Sequence, residues 1–165
     1  MRERQTRKSR SGELVFDDRA FPIVLICLRG DLDAELVDQL FDWIKQLVTD
    51  SQDKKLRYAL IFDALDIARP SPSLRGQIAR RVDLLPPSWT SLNVGSHVLI
   101  SSPVVRGALT ALTWITSSKI STSFPDSLEA AIAKACVELR GAGIEPPPSP
   151  ELLLGASARR AGSGG

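Results

Sequence analysis

The chain has 165 residues, of which 24% are charged and 43% hydrophobic, and a formal net charge of +2. That balance fits one globular domain with a single core and short tails. No apolar stretch approaches the roughly 20 residues of a membrane span, and the polar, basic start carries no apolar signal segment, so a cytoplasmic protein with no membrane insertion is expected. Cys27 lies in an apolar strand pattern and Cys136 in an apolar helix pattern. Two cysteines so placed read as reduced core thiols and make neither a disulfide framework nor a metal site.

The charge is unevenly divided. Residues 1–12 hold Arg2, Arg4, Arg7, Lys8 and Arg10 against Glu3, a balance of +4, while residues 141–165 are neutral and the remainder is about −2. A basic arm attracts nucleic acid or anionic membrane. This one has no interleaved aromatic to stack on bases and no apolar helical face to insert, so residues 1–12 are expected to be a disordered arm with no nucleic-acid partner.

In chain order, Glu13–Phe16 reads as a short strand and Phe21–Leu28 as a strand buried on both faces. Asp31 or Asp33 can cap a helix whose apolar stripe is Leu36, Val37, Leu40, Phe41, Ile44, Leu47 and Val48. After a polar linker at 50–55, Tyr58–Phe62 is a core strand. The next helix opens at Ser71-Pro72-Ser73, buries Leu74, Ile78, Val82 and Leu85, and stops at Pro86-Pro87. Residues 88–95 are expected as a loop and Val98–Ile100 as a strand. A third helix follows with Ser102 as cap, Pro103 in its first turn, and Val104, Val105, Ala108, Leu109, Leu112 and Ile115 inward. Ser121–Phe124 is a last short strand, and Asp126 with Glu129 has capping-box spacing for a final helix ending at Gly141. The Pro-rich, then Gly- and Ala-rich, residues 142–165 are expected to be a disordered tail. The order ββαβαβαβα predicts an α/β domain over 13–141, with a mostly parallel central sheet packed with helices and an antiparallel first strand.

"LRGDLDAELVDQL" at 28–40, "YALIFDAL" at 58–65, "SSPVVRGALTAL" at 101–112 and "SFPDSLEAAIAKA" at 123–135 resemble the STAS domains, the SpoIIAA-like family of anti-sigma-factor antagonists, in a divergent bacterial branch. The resemblance implies a non-enzymatic regulatory module that binds a partner protein. In those antagonists an Asp-Ser pair at the start of the second helix carries a phosphoswitch. Counting without gaps from Asp63, the acceptor falls on Pro72, which has no hydroxyl, so the switch is expected to be lost unless it has shifted by one residue to Ser71 or Ser73.

A phosphate on either serine would meet the free N–H groups of a helix start, with Arg69 and Arg75 near in sequence; the same position also calls for a plain cap, worth about 1 kcal/mol. Partner-binding candidates are Arg69, Ser71, Ser73, Arg75, Arg80, Arg106 and the loop residue Trp89; Trp114 is a further anchor or an edge core residue. The first helix presents acids and the second bases, a pattern that suits a complementary partner or a homodimer and also an ordinary solvated surface.

No catalytic residues, metal or cofactor are expected. His97 is the sole histidine and reads as a surface or strand-end residue; the glycines match no phosphate-binding loop. Two rival readings remain. One is a small apolar ligand or lipid carrier lined by Ala131, Ile132, Ala133, Ala135 and Val137. The other is an enzyme using Asp63, Asp66 and Arg106 in one cleft.

Overall fold

The computed structural model describes residues 3–103, 106 and 121–157. Its strands are β1 (Arg4–Lys8), β2 (Gly12–Asp17), β3 (Ile23–Gly30), β4 (Tyr58–Ile67), β5 (Asn93–Leu99) and β6 (Thr122–Ser123). They form one six-stranded sheet whose spatial order is the chain order. The β1/β2 and β2/β3 pairs are antiparallel, and the pairs from β3 to β6 are parallel. The α/β architecture with a mostly parallel sheet is therefore present. The expected third helix lies largely outside the described residues, as does Trp114; Arg106 is described, and its N–H donates to Ser102 O at 2.9 Å.

Alternation along each strand divides the core into two layers. Leu14, Phe16, Val24, Ile26, Leu28, Tyr58 and Leu60 face α1 (Ala34–Asp53), α2 (Pro72–Asp83) and α3 (Ser88–Leu92). Val15, Ile23, Leu25, Cys27, Ala59 and Ile61 face α4 (Leu128–Gly141) on the other side. The whole expected stripe of α1 is buried, and of the two candidate caps it is Asp33 that accepts from Leu36 N, at 2.9 Å. Gly30 closes β3 at φ +68°, with its Cα so near Ser11 O that a Cβ would come within 2.4 Å of it, so no other residue fits there without strain. Both cysteines are buried and free; burial pushes the Cys27 thiol up to about 12 and the Cys136 thiol upward as well.

Several expectations are corrected. The arm is not disordered over residues 4–8: it is the edge strand β1, registered from Arg4 against Asp17 to Lys8 against Glu13. Its polar sequence carries no burial signal because an edge strand can be held by backbone pairing alone. The tail is not loose over its described residues, up to Ser157. A 3-10 turn at Pro150–Leu153 runs into a last helical turn at Leu154–Ser157, and Leu153 and Ala156 are fully buried in the second layer. Three arginines hold this segment by its carbonyls: Arg29 reaches Ala156 O at 2.9 Å, Arg4 the same oxygen at 3.5 Å, and Arg19 reaches Leu152 O at 3.4 Å. Residues 88–92, read as loop, form the short α3, and the cap of α4 is Ser127 rather than Asp126, its hydroxyl accepting from Ala130 N at 3.1 Å.

Candidate functional site

In a parallel sheet the loops that leave the carboxyl ends of the strands gather along one edge. Here Ala68 N donates to Gly30 O at 3.0 Å, which sets the loop after β4 beside the loop after β3. The chain then enters α2 through Ser71, whose backbone is extended and whose Oγ accepts from Leu74 N at 3.1 Å, with Pro72 in the first turn. Leu74 anchors this turn in the core, and Ile78, Val82 and Leu85 pack less deeply along the same layer. Arg69, Ser71, Ser73, Arg75 and Arg80 all remain exposed. Arg69, Arg75 and Arg80 enter no ion pair among the described residues.

Arg81 behaves differently. Its Nε lies 2.9 Å from Asp38 Oδ1, its Nη2 contacts the same oxygen, and its Nη1 is 3.9 Å from Asp42 Oδ1. Gln77 Nε2 adds bonds to Asp38 Oδ1 at 2.9 Å and Ala34 O at 3.0 Å. Arg81 and then Gln77 hold the Asp38 carboxyl below its ordinary range. Part of the opposed charge read along α1 and α2 is thus consumed between the two helices instead of facing outward.

Arg106 sits at the same sheet edge, half-buried, with Nη2 3.4 Å from Ile100 O and its guanidinium 5.9 Å from the Phe124 ring centroid. Trp89 stands apart from the other candidates. It packs on the core from α3, its ring 6.5 Å from that of Tyr58, the first residue of β4, whereas Ser71 follows that strand's far end. A ten-residue strand spans about 33 Å, so Trp89 and the start of α2 mark opposite ends of the sheet.

The rival readings fare as follows. Asp63 is 2% exposed and its Oδ1 accepts from Leu65 N at 3.3 Å, while Asp66 is exposed. No group of three metal-ligating side chains occurs among the described residues. Ala131, Ile132 and Ala135 are packed in the core with Ile61 and Leu99, whereas Ala133 and Val137 point outward, so this face of α4 is divided between core and solvent.

One constellation escaped the sequence reading. His97 is fully buried, not at the surface. Its Nδ1 lies 2.8 Å from Ser123 Oγ on the neighbouring strand, and its Nε2 lies 3.1 Å from Glu138 Oε2 on α4, off the line of an aligned hydrogen bond. Ser121 Oγ donates to the other oxygen of Glu138 at 3.1 Å. Gly95 makes the space, because a Cβ there would stand 1.6 Å from Glu138 Oε2. Burial lowers the pKa of His97, with Lys134 acting in the same direction and Glu138 opposing. The partners are 26 and 41 positions away along the chain, so nothing local announces the cluster; the His97–Ser123 register and the packing of α4 on the sheet bring it together.

No protein-family model and no curated protein matches the chain. A solved structure does. The crystal structure of an uncharacterized DUF3478-family protein from Shewanella loihica PV-4, described as having a SpoIIAA-like fold, is similar at a TM-score of 0.52 and 9% identity, over 81% of this chain and 93% of its own. The chain has a SpoIIAA-like fold. An anti-sigma factor antagonist from Mycobacterium paratuberculosis is similar over 81% of this chain and 92% of its own, at 13% identity and a TM-score of 0.44. Within this SpoIIAA-like fold the exposed start of α2 and Arg106 share one sheet edge, and the His97 cluster lies under α4 at the β6 border. No helix among the described residues is long and apolar enough to cross a membrane.

Proposed function

We propose that the chain is a non-enzymatic, cytoplasmic STAS-like regulatory module that docks onto an acidic face of a partner protein through the start of α2. The observation that carries this reading is a contrast among arginines. Arg81, Arg19, Arg29 and Arg4 are engaged inside the fold, whereas Arg69, Arg75 and Arg80 stand exposed with no internal counter-charge among the described residues. Arg69 lies two residues before the Ser71 cap, and Arg75 and Arg80 project from α2 itself, about 7.5 Å apart along its axis at 1.5 Å per residue. Cations so placed steer a complementary surface and set its register. Arg106 supports the same sheet edge.

The phosphoswitch is lost in this reading. Ser71 serves as the cap of α2, Pro72 has no hydroxyl, and Ser73 is an exposed first-turn residue. The test is affinity capture with the full chain, compared with the Arg69→Glu/Arg75→Glu/Arg80→Glu variant, followed by intact-mass analysis. Capture of the same partner should weaken at least about tenfold in the variant and should weaken in the wild type as salt rises. Equal capture by both chains defeats the docking face, and phosphate mapped to Ser71 or Ser73 defeats loss of the switch. If the captured partner is a second copy of the chain, the module is a homodimer.

A further inference from the structure

The cluster of Ser121, Glu138, His97 and Ser123 has the order of roles found where a serine hydroxyl is made nucleophilic: hydroxyl, imidazole, carboxylate, and a donor that fixes the carboxylate. From this geometry we infer that Ser123 is an activated serine that accepts an acyl group from an activated carboxylic ester or thioester. The site is separate from the docking face at α2.

The argument begins with the tautomer. A carboxylate 3.1 Å from His97 Nε2 favours the ring proton on that nitrogen, which leaves the Nδ1 lone pair facing Ser123 Oγ at 2.8 Å. Ser123 Oγ–H then donates to Nδ1. The ring is turned over relative to the commoner arrangement, with the hydroxyl on Nδ1 and the carboxylate beside Nε2. Nε2 and Oε2 lie 3.1 Å apart without the alignment of a hydrogen bond, so Glu138 acts on the ring through its charge. Among the described residues the charged groups that bear on the ring are Glu138 and Lys134, both on α4; Ser121 and Ser123 supply hydroxyls from the edge segment.

The carboxylate is held in place. Ser121 fixes one oxygen, and the missing side chain at Gly95 admits the other. Glu138 and Ser121 are thus positioning residues, while Ser123 and His97 meet the reacting atoms. Among the described residues β6 is the outermost parallel strand, and Ser123 keeps part of its surface in solvent although His97 has none.

In the step itself, Ser123 Oγ bonds to the acyl carbon as its proton passes to His97 Nδ1. The tetrahedral oxyanion then re-forms the carbonyl. The bond to the leaving alcohol or thiol breaks with its electron pair, and the leaving group takes the proton back from Nδ1. The product is an acyl-serine, with no oxidation or reduction.

The test uses the full chain and p-nitrophenyl acetate, with diisopropyl fluorophosphate as a second serine probe, read by intact mass and peptide mapping. One adduct per chain is expected, mapped to Ser123, forming faster as pH rises through the loss of a proton from His97. Ser123→Ala should abolish it. Glu138→Gln, checked for folding by circular dichroism, should slow it at least about tenfold, as expected when the group orienting the base is neutralised, and Glu138→Asp should recover part of the rate. Ser123-dependent turnover would support the nucleophile and overturn the non-enzymatic reading above. Absence of an adduct, an adduct on another residue, or an unchanged rate in Glu138→Gln would overturn the assignment, and mapping on the wild-type chain decides the matter even if a variant fails to fold.

Discussion

Replacing Leu153 with alanine tests whether the C-terminal segment belongs to the fold. Leu153 is fully buried among residues of the second core layer, as is Ala156, while Leu154 packs partly buried against the same layer. Truncating a buried leucine costs about 2–5 kcal/mol when the surroundings cannot follow. Here the segment can lift off locally, which caps the loss near its own docking energy. That energy comes chiefly from Leu153, worth about 1.5–3 kcal/mol on burial, with smaller shares from Leu154 and Ala156 and backbone bonds from Arg4, Arg19 and Arg29. The expected destabilisation is therefore about 2–3 kcal/mol. For a chain of this size that lowers Tm by roughly 5–10 °C. Equilibrium urea unfolding, with Leu152→Ala as the control, measures it. Leu152 is 48% exposed, and its truncation should change stability by less than about 0.5 kcal/mol. Equal stability of Leu153→Ala and wild type, or equal losses in the two variants, would refute the packing described for this segment.

Two other outcomes follow from the structure. Ser71→Ala removes the acceptor for Leu74 N and should cost about 1 kcal/mol in urea unfolding, while Ser71→Asp should keep most of that stability; equal loss in both would deny Ser71 its capping role. Burial depresses the pKa of His97 below its ordinary value of 6.5. Its neutral form therefore contributes stability fully above about pH 6.5, and this is lost as pH falls through the folded-state pKa. Urea unfolding across that window should show a fall of up to about 1.4 kcal/mol per pH unit, flattened in His97→Gln; an identical slope in the variant would contradict the burial-driven shift.

What could be read in advance was whatever repeats locally. The α1 stripe from Leu36 to Val48 is legible because seven apolar residues keep helical spacing and all are buried. β3 is legible because its run is buried on both faces. Ser71 is legible as a cap because Ser-Pro before an apolar stripe is a local signal. β1 was missed because Arg4–Lys8 contributes no apolar alternation and takes its order from Gly12–Asp17. The C-terminal turn was missed because the run Leu152-Leu153-Leu154, between prolines and small residues, is too short to show a period, and α3 because five residues are likewise too few. At the candidate site, sequence identified the free arginines around α2 but not which base is neutralised: Arg81, rather than Arg80, meets Asp38 across 43 positions. Trp89 has the composition of an anchor, yet its place at the other end of β4 depends on topology.

Because strand order follows chain order, each strand finds its sheet neighbour already made as the polypeptide leaves the ribosome. The second apolar layer obeys the opposite schedule. Val15, Leu25 and Cys27 are among the earliest core residues to emerge, yet Leu153 and Ala156, which share their cluster, are translated near the end. A nascent chain halted before residue 150 therefore carries a finished parallel sheet with an unsealed greasy flank, the kind of surface that a chaperone binds until the closing turn arrives.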